Sequence, residues 1–273
     1  MLIILLTVAC TADSVRGGDS IVDGPTDTGP ESYPSAYISG KYRANTLSIV
    51  EDAEQGGDVN GDGTIDNKLP AVLALVDAFV EQPLKAEDIN ATLAEDMGDG
   101  TIIVLSEVAY AEGELTLSIV LGLQDEEGEL SVDPESLDGG QPRSSFAGIF
   151  LDESGYRIGS ERVELPFPIV ADEPPVPVPL EQVTLEGEVT DQALTGLMYG
   201  AIPVDDMVDQ VLDVITPTGE DYDPEKYLDK DREEFLEFIR DFANQDSVSD
   251  IELADGRRAV SAALRFEATP AEF

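Results

Sequence analysis

Between Glu114 and Leu123 the chain alternates without a break: Leu115, Leu117, Ile119, Leu121 and Leu123 fall on one side, and Thr116, Ser118, Val120 and Gly122 on the other. Successive side chains of a strand point to opposite faces, so such a run places one face in a core and the other toward solvent. This is the signature of an antiparallel sheet. The alternation returns at Val183, Leu185 and Val189. Near the C-terminus it returns again, with Val260, Ala262, Leu264 and Phe266 opposite Ser261, Ala263, Arg265 and Glu267. Tyr37 to Val50 has the β-branched and aromatic content of one or two further strands. Turn signals at Asp138-Gly139-Gly140, Glu153-Ser154-Gly155 and Asp255-Gly256 separate these runs at hairpin spacing.

Helices are written into other blocks. Leu69 to Val80 is apolar nearly all round apart from Asp77, with Pro70 tolerable in a first turn, and predicts a buried helix. Ala86 to Asp96, stopped by Gly98, predicts a second. Val204 to Ile215 predicts a third, with Asp205 and Asp206 in its first turn. Pro224 to Ala243 predicts a fourth, with Asp223 as N-cap and Leu228, Phe235, Phe238, Ile239 and Phe242 as its apolar stripe. The prolines of the stretch Pro166 to Leu180 predict an extended edge or crossover segment, because proline cannot donate to a central ladder. Strands and helices segregate rather than alternate. The expectation is therefore an α+β domain over residues 36–273: a mostly antiparallel sheet, sandwich or roll, with about four helices packed on it.

Composition narrows the chemistry. There is no histidine and one cysteine, which excludes Ser-His-Asp and Cys-His catalysis, His-ligated zinc and any internal disulfide. Fifty-eight acidic against fifteen basic residues leave a formal charge of −43, and phosphate backbones would repel a polyanion of that size. Nucleic acid is excluded as a partner.

The chain opens MLIILLTVAC, an apolar run that ends in small Ala9 and the sole cysteine, Cys10. This resembles the end of a bacterial lipoprotein signal peptide, with residues 1–9 as a signal segment shortened at its start. The resemblance implies that Cys10 becomes the acylated first residue, an anchor in the membrane, and that Thr11 after it directs the protein to the outer membrane. Nine apolar residues cannot span a bilayer as a helix. Residues 10–35, rich in Gly, Pro, Ser, Thr and Asp, read as the lipidated cysteine followed by a flexible acidic tether.

One motif carries chemistry. Asp58-Val59-Asn60-Gly61-Asp62-Gly63-Thr64-Ile65-Asp66 places side-chain oxygens at alternate positions 1, 3 and 5, with glycine at position 6 for the sharp turn. Thr64 at position 7 would offer its carbonyl oxygen, Asp66 at position 9 would coordinate directly or through water, and apolar Ile65 would anchor the site to the core. The stretch resembles the calcium loops of dockerin modules and EF-hands, which implies a Ca2+ ion held by Asp58, Asn60, Asp62, Thr64 and Asp66. Position 12 is Leu69, so a ligand from elsewhere must complete the shell, and Glu51, Asp52 and Glu54 are the nearest acids. Without a carboxylate at position 12, affinity belongs at the weak end, on the order of 0.1 to 1 mM. Glu95 to Gly100 and Asp250 to Gly256 fail the same pattern because apolar residues stand at ligand positions.

Catalysis without histidine would have to use carboxylates, as in glycoside hydrolysis, or a Ser-Lys pair. No lysine stands in an S-x-x-K setting. The absence of tryptophan and the 6% aromatic content leave little to stack on a sugar. The whole chain resembles uncharacterised bacterial lipoproteins with an acidic tether. That implies a non-catalytic binding or envelope-structural module, with a carboxylate-dependent extracytoplasmic hydrolase as the alternative.

Overall fold

In the computed structural model, which describes residues 39–273 except 81–82, 112 and 168–174, the alternating run is the third of eight strands that close into an antiparallel barrel. The strands are β1 (Ser39–Ile49), β2 (Val104–Ala111), β3 (Glu114–Gln124), β4 (Ser144–Phe150), β5 (Gly155–Phe167), β6 (Val176–Val189), β7 (Leu194–Pro203) and β8 (Arg258–Pro270). Each pairs with the next in chain order, and β8 returns to β1, with Leu47 opposite Phe266 and Ile49 opposite Leu264. Short strands at Leu130–Val132 and Ile251–Glu252 extend β3 and β8, and Leu137–Asp138 pairs with Gln141–Pro142.

The α+β sandwich or roll expected from the sequence is thus replaced by a barrel. In an open sheet β1 and β8 would be edges, whereas here they satisfy each other's main-chain groups. The contacts that close the wall join residues as far apart as Lys41 and Phe273, whose Nζ and O lie 2.8 Å from one another. No local pattern announces such a pairing. The prolines enter the wall as well. Pro177 and Pro179 of β6 lie opposite Pro166 and Glu164 of β5. The pairing of β6 with β7 begins only at Glu181, so the missing N–H groups fall beyond that ladder.

Inside, the wall is apolar. Leu117, Phe146, Ile158, Leu185, Met198, Leu264 and Phe266 are all buried, and their places in the register put them on one surface of the sheet. Outside stand Glu107, Arg157, Glu188, Arg265 and Glu267, all exposed. Eight strands enclose an interior that side chains can fill. A filled, apolar interior with a charged exterior reverses the pattern of a barrel that faces lipid. No helix among the described residues is long and apolar enough to cross a membrane.

Among the described residues, four helices serve the barrel at its ends and flank. α1 (Leu69–Asp77) is short because only its inner face, formed by Leu69, Val72, Leu73 and Val76, has a core to meet. α2 (Ala86–Asp99) runs past Gly98 and ends at Gly100, whose φ of +86° makes the left-handed cap. α3 (204–215) contains a π-helical stretch, Met207–Leu212. α4 (Arg232–Ala243) starts later than its sequence pattern suggests, because Asp231 accepts from Glu234 N and caps it, while Asp223 and Pro224 begin a separate 3-10 turn. Leu73 of α1, Ile89 of α2 and Met207 of α3 meet Ile49, Phe167 and Ile202 across an apolar gap of only about 30 Å3. Those three wall residues end β1, β5 and β7, so the helices plug one mouth of the barrel. Aromatic side chains close the other, where Tyr110 meets Phe150 edge to face and the Tyr156 hydroxyl donates to the Thr195 carbonyl.

Candidate metal centre

The Asp-rich loop follows a 3-10 turn (Ala53–Gln55) and runs directly into α1. Its neck is a single antiparallel bridge in which Asp66 N donates to Gly57 O at 2.8 Å. Within the neck the carboxylates and amides interlock. Asp58 Oδ1 accepts from Gly61 N (2.7 Å) and Asp62 N (3.0 Å), and its Oδ2 accepts from Gly63 N (2.9 Å). Asn60 Oδ1 accepts from Asp62 N (2.9 Å), Asp62 Oδ1 from Thr64 N (2.8 Å), and Asp66 Oδ2 from Val59 N (3.1 Å). Gly63, at φ +85°, provides the left-handed residue on which the turn pivots. The chain thus coils around the side-chain oxygens of Asp58, Asn60, Asp62 and Asp66.

The electrostatics of the loop are uneven. Hydrogen bonds from the Thr64 hydroxyl and amide hold the Asp62 carboxyl below the usual carboxylate range. Asp66 moves the other way: partial burial raises it most, and the negative charges of Asp250 and Asp62 add to the rise against the hydrogen bond from Val59. Among the described residues no group of three or more acidic side chains, those of the loop included, stands close enough to hold a metal ion by carboxylates alone. The donor set of the loop is mixed, with carboxylate, amide and main-chain carbonyl oxygens, the hard ligands that suit Ca2+ rather than a thiolate or imidazole metal.

The loop is seated on the outer wall. Val59 packs against Ala201, Ile251, Leu253 and Ala259, and also against Val50, Tyr199 and Ala263. Ile65, expected to be the anchor, is 51% exposed; the apolar contact comes from Val59 instead, because the bridge at Gly57 turns that residue toward β7 and β8. Gly57 itself lies flat on the Tyr199 ring, and a Cβ there would come within 2.3 Å of the ring Cγ. The exit is also held: Lys68 N donates to Ser261 Oγ (2.8 Å) and O (3.1 Å) of β8, and Ser261 Oγ donates to Asp250 Oδ2 (2.5 Å).

Of the acids nearest in sequence, Asp52 caps the 3-10 turn, accepting from Glu54 N and Gln55 Nε2, Glu51 accepts from Asn90 Nδ2, and Glu54 is exposed within that turn. The carboxylate that faces Asp66 from outside the loop is Asp250, which sequence reasoning passed over because its own segment fails the loop pattern. Only the tertiary contact through Ser261 brings it here. Cys10 lies outside the described residues.

A concave surface of about 580 Å3 is an open groove on the outer wall lined by Glu161, Glu181, Thr184 and Asp255. Two of these three acids are engaged. Glu181 meets Arg257 at 2.8 Å and Arg162 at 3.2 Å, and Asp255 meets Arg257 at 2.6 Å. Comparison with protein-family models, curated proteins and solved structures found no match. The local geometry therefore carries the functional reading alone.

Proposed function

We propose that this chain is an exported lipoprotein, anchored through Cys10 to the outer membrane, whose barrel is a non-catalytic binding or envelope-structural module braced by one Ca2+ ion at Asp58, Asn60, Asp62, Thr64 and Asp66. The observation that carries the ion is the interlocking of the loop. Each side-chain ligand from position 1 to position 9 already accepts a loop amide through at least one oxygen, so the chain need not refold to present the remaining lone pairs to a cation. The ion would join the neck at Gly57 and Asp66 to the turn at Gly61 to Gly63, and through α1 it would brace the plugged mouth of the barrel.

The experiment is thermal unfolding of the full chain in Ca2+ and, at equal concentration, in Mg2+. Ligand at ten times its dissociation constant stabilises by about 1.4 kcal/mol, which raises the midpoint by about 3 to 6 °C in a domain of this size. Magnesium reports the general screening that any divalent ion gives so acidic a chain. The D58N/D62N variant is expected to lose the excess of calcium over magnesium and keep the screening response. Retention of the full excess would remove the loop from the metal chemistry. The anchor is read separately: a clickable fatty acid should label the parent in bacterial cells and leave Cys10→Ser unlabelled.

A further inference from the structure

The Asp58–Asp66 loop also holds an amide that can react with its own backbone. Asn45, Asn67, Asn90 and Asn244 precede residues with side chains, and only Asn60 precedes glycine. A glycine leaves its main-chain nitrogen open to the side-chain amide before it, because no Cβ stands in the way. Gly61 has φ +77° and open space where a Cβ would lie, and both residues are exposed to water. Joining Gly61 N to Asn60 Cγ closes a five-membered ring, so the first step needs no second molecule. Asn67 and Asn90 are guarded as well as hindered: Asn67 is buried and donates to Val50 O and Asp52 O, and Asn90 bonds both main-chain groups of Ile49.

The hydrogen bonds of the loop oppose that ring. Gly61 N donates to Asp58 Oδ1 at 2.7 Å, and Asn60 Oδ1 accepts from Asp62 N at 2.9 Å. To attack Asn60 Cγ, Gly61 N must give up its proton and turn its face to the side chain, which ends the bond to Asp58. The amide must swing off Asp62 N to meet it. Ring closure therefore waits for the loop to open. Asp58, which also accepts from Asp62 N and Gly63 N, is the side chain that does most to hold it shut. A cation shared by Asp58 and Asn60 would add to that hold.

We propose that Asn60 is a site of spontaneous deamidation, latched by Asp58 and reinforced by the ion; the ion's part rests on the calcium reading proposed above. The bond from Gly61 N to Asn60 Cγ forms, the Cγ–Nδ2 bond breaks, and the amide nitrogen leaves as ammonia with the proton from Gly61, which gives a cyclic imide. Water then opens the imide, so the sum is amide plus water to acid plus ammonia. Opening at Cγ yields aspartate, a fourth carboxylate in a loop whose charge count sets its calcium affinity. Opening at the main-chain carbonyl leaves an isoaspartyl link, which adds a methylene to the backbone and moves the oxygens out of register.

The test follows each asparagine by peptide mass spectrometry while the full chain stands in neutral buffer with chelator, in water labelled with heavy oxygen. Asn60 should convert first and keep one labelled oxygen, more slowly in the folded chain than in urea. Asp58→Ala, its fold verified by circular dichroism, should raise the rate about tenfold toward that in urea. Calcium at ten times its dissociation constant should slow the parent about tenfold, and magnesium at equal concentration far less. Conversion of another asparagine before Asn60, or equal rates in the folded parent, Asp58→Ala and urea, would overturn the proposal. Calcium that leaves the rate unchanged while its thermal excess over magnesium persists removes the ion from the latch. If that thermal excess is absent too, the calcium reading has failed, and the Asp58 latch stands on the chelator rates alone.

Discussion

Replacing Gly57 with alanine tests whether the loop is clamped to the barrel. The added Cβ would lie 2.3 Å from Cγ and 2.4 Å from Cδ1 and Cδ2 of Tyr199. These atoms are the root of the ring, close to the β7 backbone, and the tip is held by a 2.7 Å hydrogen bond from the hydroxyl to Glu186. The ring has little room to swing, so the neck of the loop must lift and Val59 must give up part of its packing. Overpacking of this kind costs about 1 to 3 kcal/mol, which lowers the melting midpoint by about 2 to 12 °C in a domain of this size. Urea unfolding followed by far-UV circular dichroism measures the loss. The decisive comparison is a double-mutant cycle with Tyr199→Ala, since without the ring the alanine at 57 loses its three nearest clashes and its cost should fall below about 0.5 kcal/mol. If Gly57→Ala is as costly in the Tyr199→Ala background as in the parent, or costs nothing in either, the contact does not clamp the loop.

Asp66→Asn should leave stability in chelator unchanged or slightly raised, because the carboxylate is destabilised by burial and by Asp250 and Asp62 and the amide oxygen still accepts from Val59; the calcium response should disappear, as read by the melting midpoint with and without the ion. For the same reason Asp66 takes up a proton at a pH above its ordinary 3.8 as acid is added, so calcium should be released in the window that begins above that value, followed by calcium-electrode titration. At the alkaline end, burial and the bond to Glu186 push Tyr199 up to about 12. Its contribution is whole below pH 10 and is lost as pH rises toward 12, so stability should fall over that interval, and Tyr199→Phe should flatten the fall.

Local features of this chain were legible because they obey short rules. The hydrogen-bonded turn from Asp58 to Asp66 fits within one loop, the alternation of β3 reports its two faces, and the apolar stripe of α4 shows at Phe235 and Ile239. Features that depend on distant partners left no such trace. Closure of β8 on β1 is a statement about two segments, each of which reads simply as a strand. Asp250 reaches the loop only because Ser261, its partner across a turn, also receives Lys68. The proline stretch was legible by a short rule too: proline forbids one donor, and Pro177 and Pro179 lie in an extended segment that pairs with β5 alone, where β6 is still an edge. Ile65 was an anchor by analogy with loops that have a partner at that position; here β7 and β8 receive Val59 instead.

The pairing of β8 with β1 also fixes an order of events. Strands β2 to β7 can form as a row of neighbours joined by connections of fewer than twenty residues, but the final seam must bring together segments separated by most of the chain. Until it does, the row is a curved sheet with its apolar surface half covered and two unpaired borders, the condition in which strand proteins join their neighbours rather than themselves. A high negative charge on the outer face is then useful before the protein is finished. It keeps such unfinished molecules apart during the slowest step, at a time when the fold itself offers them no protection.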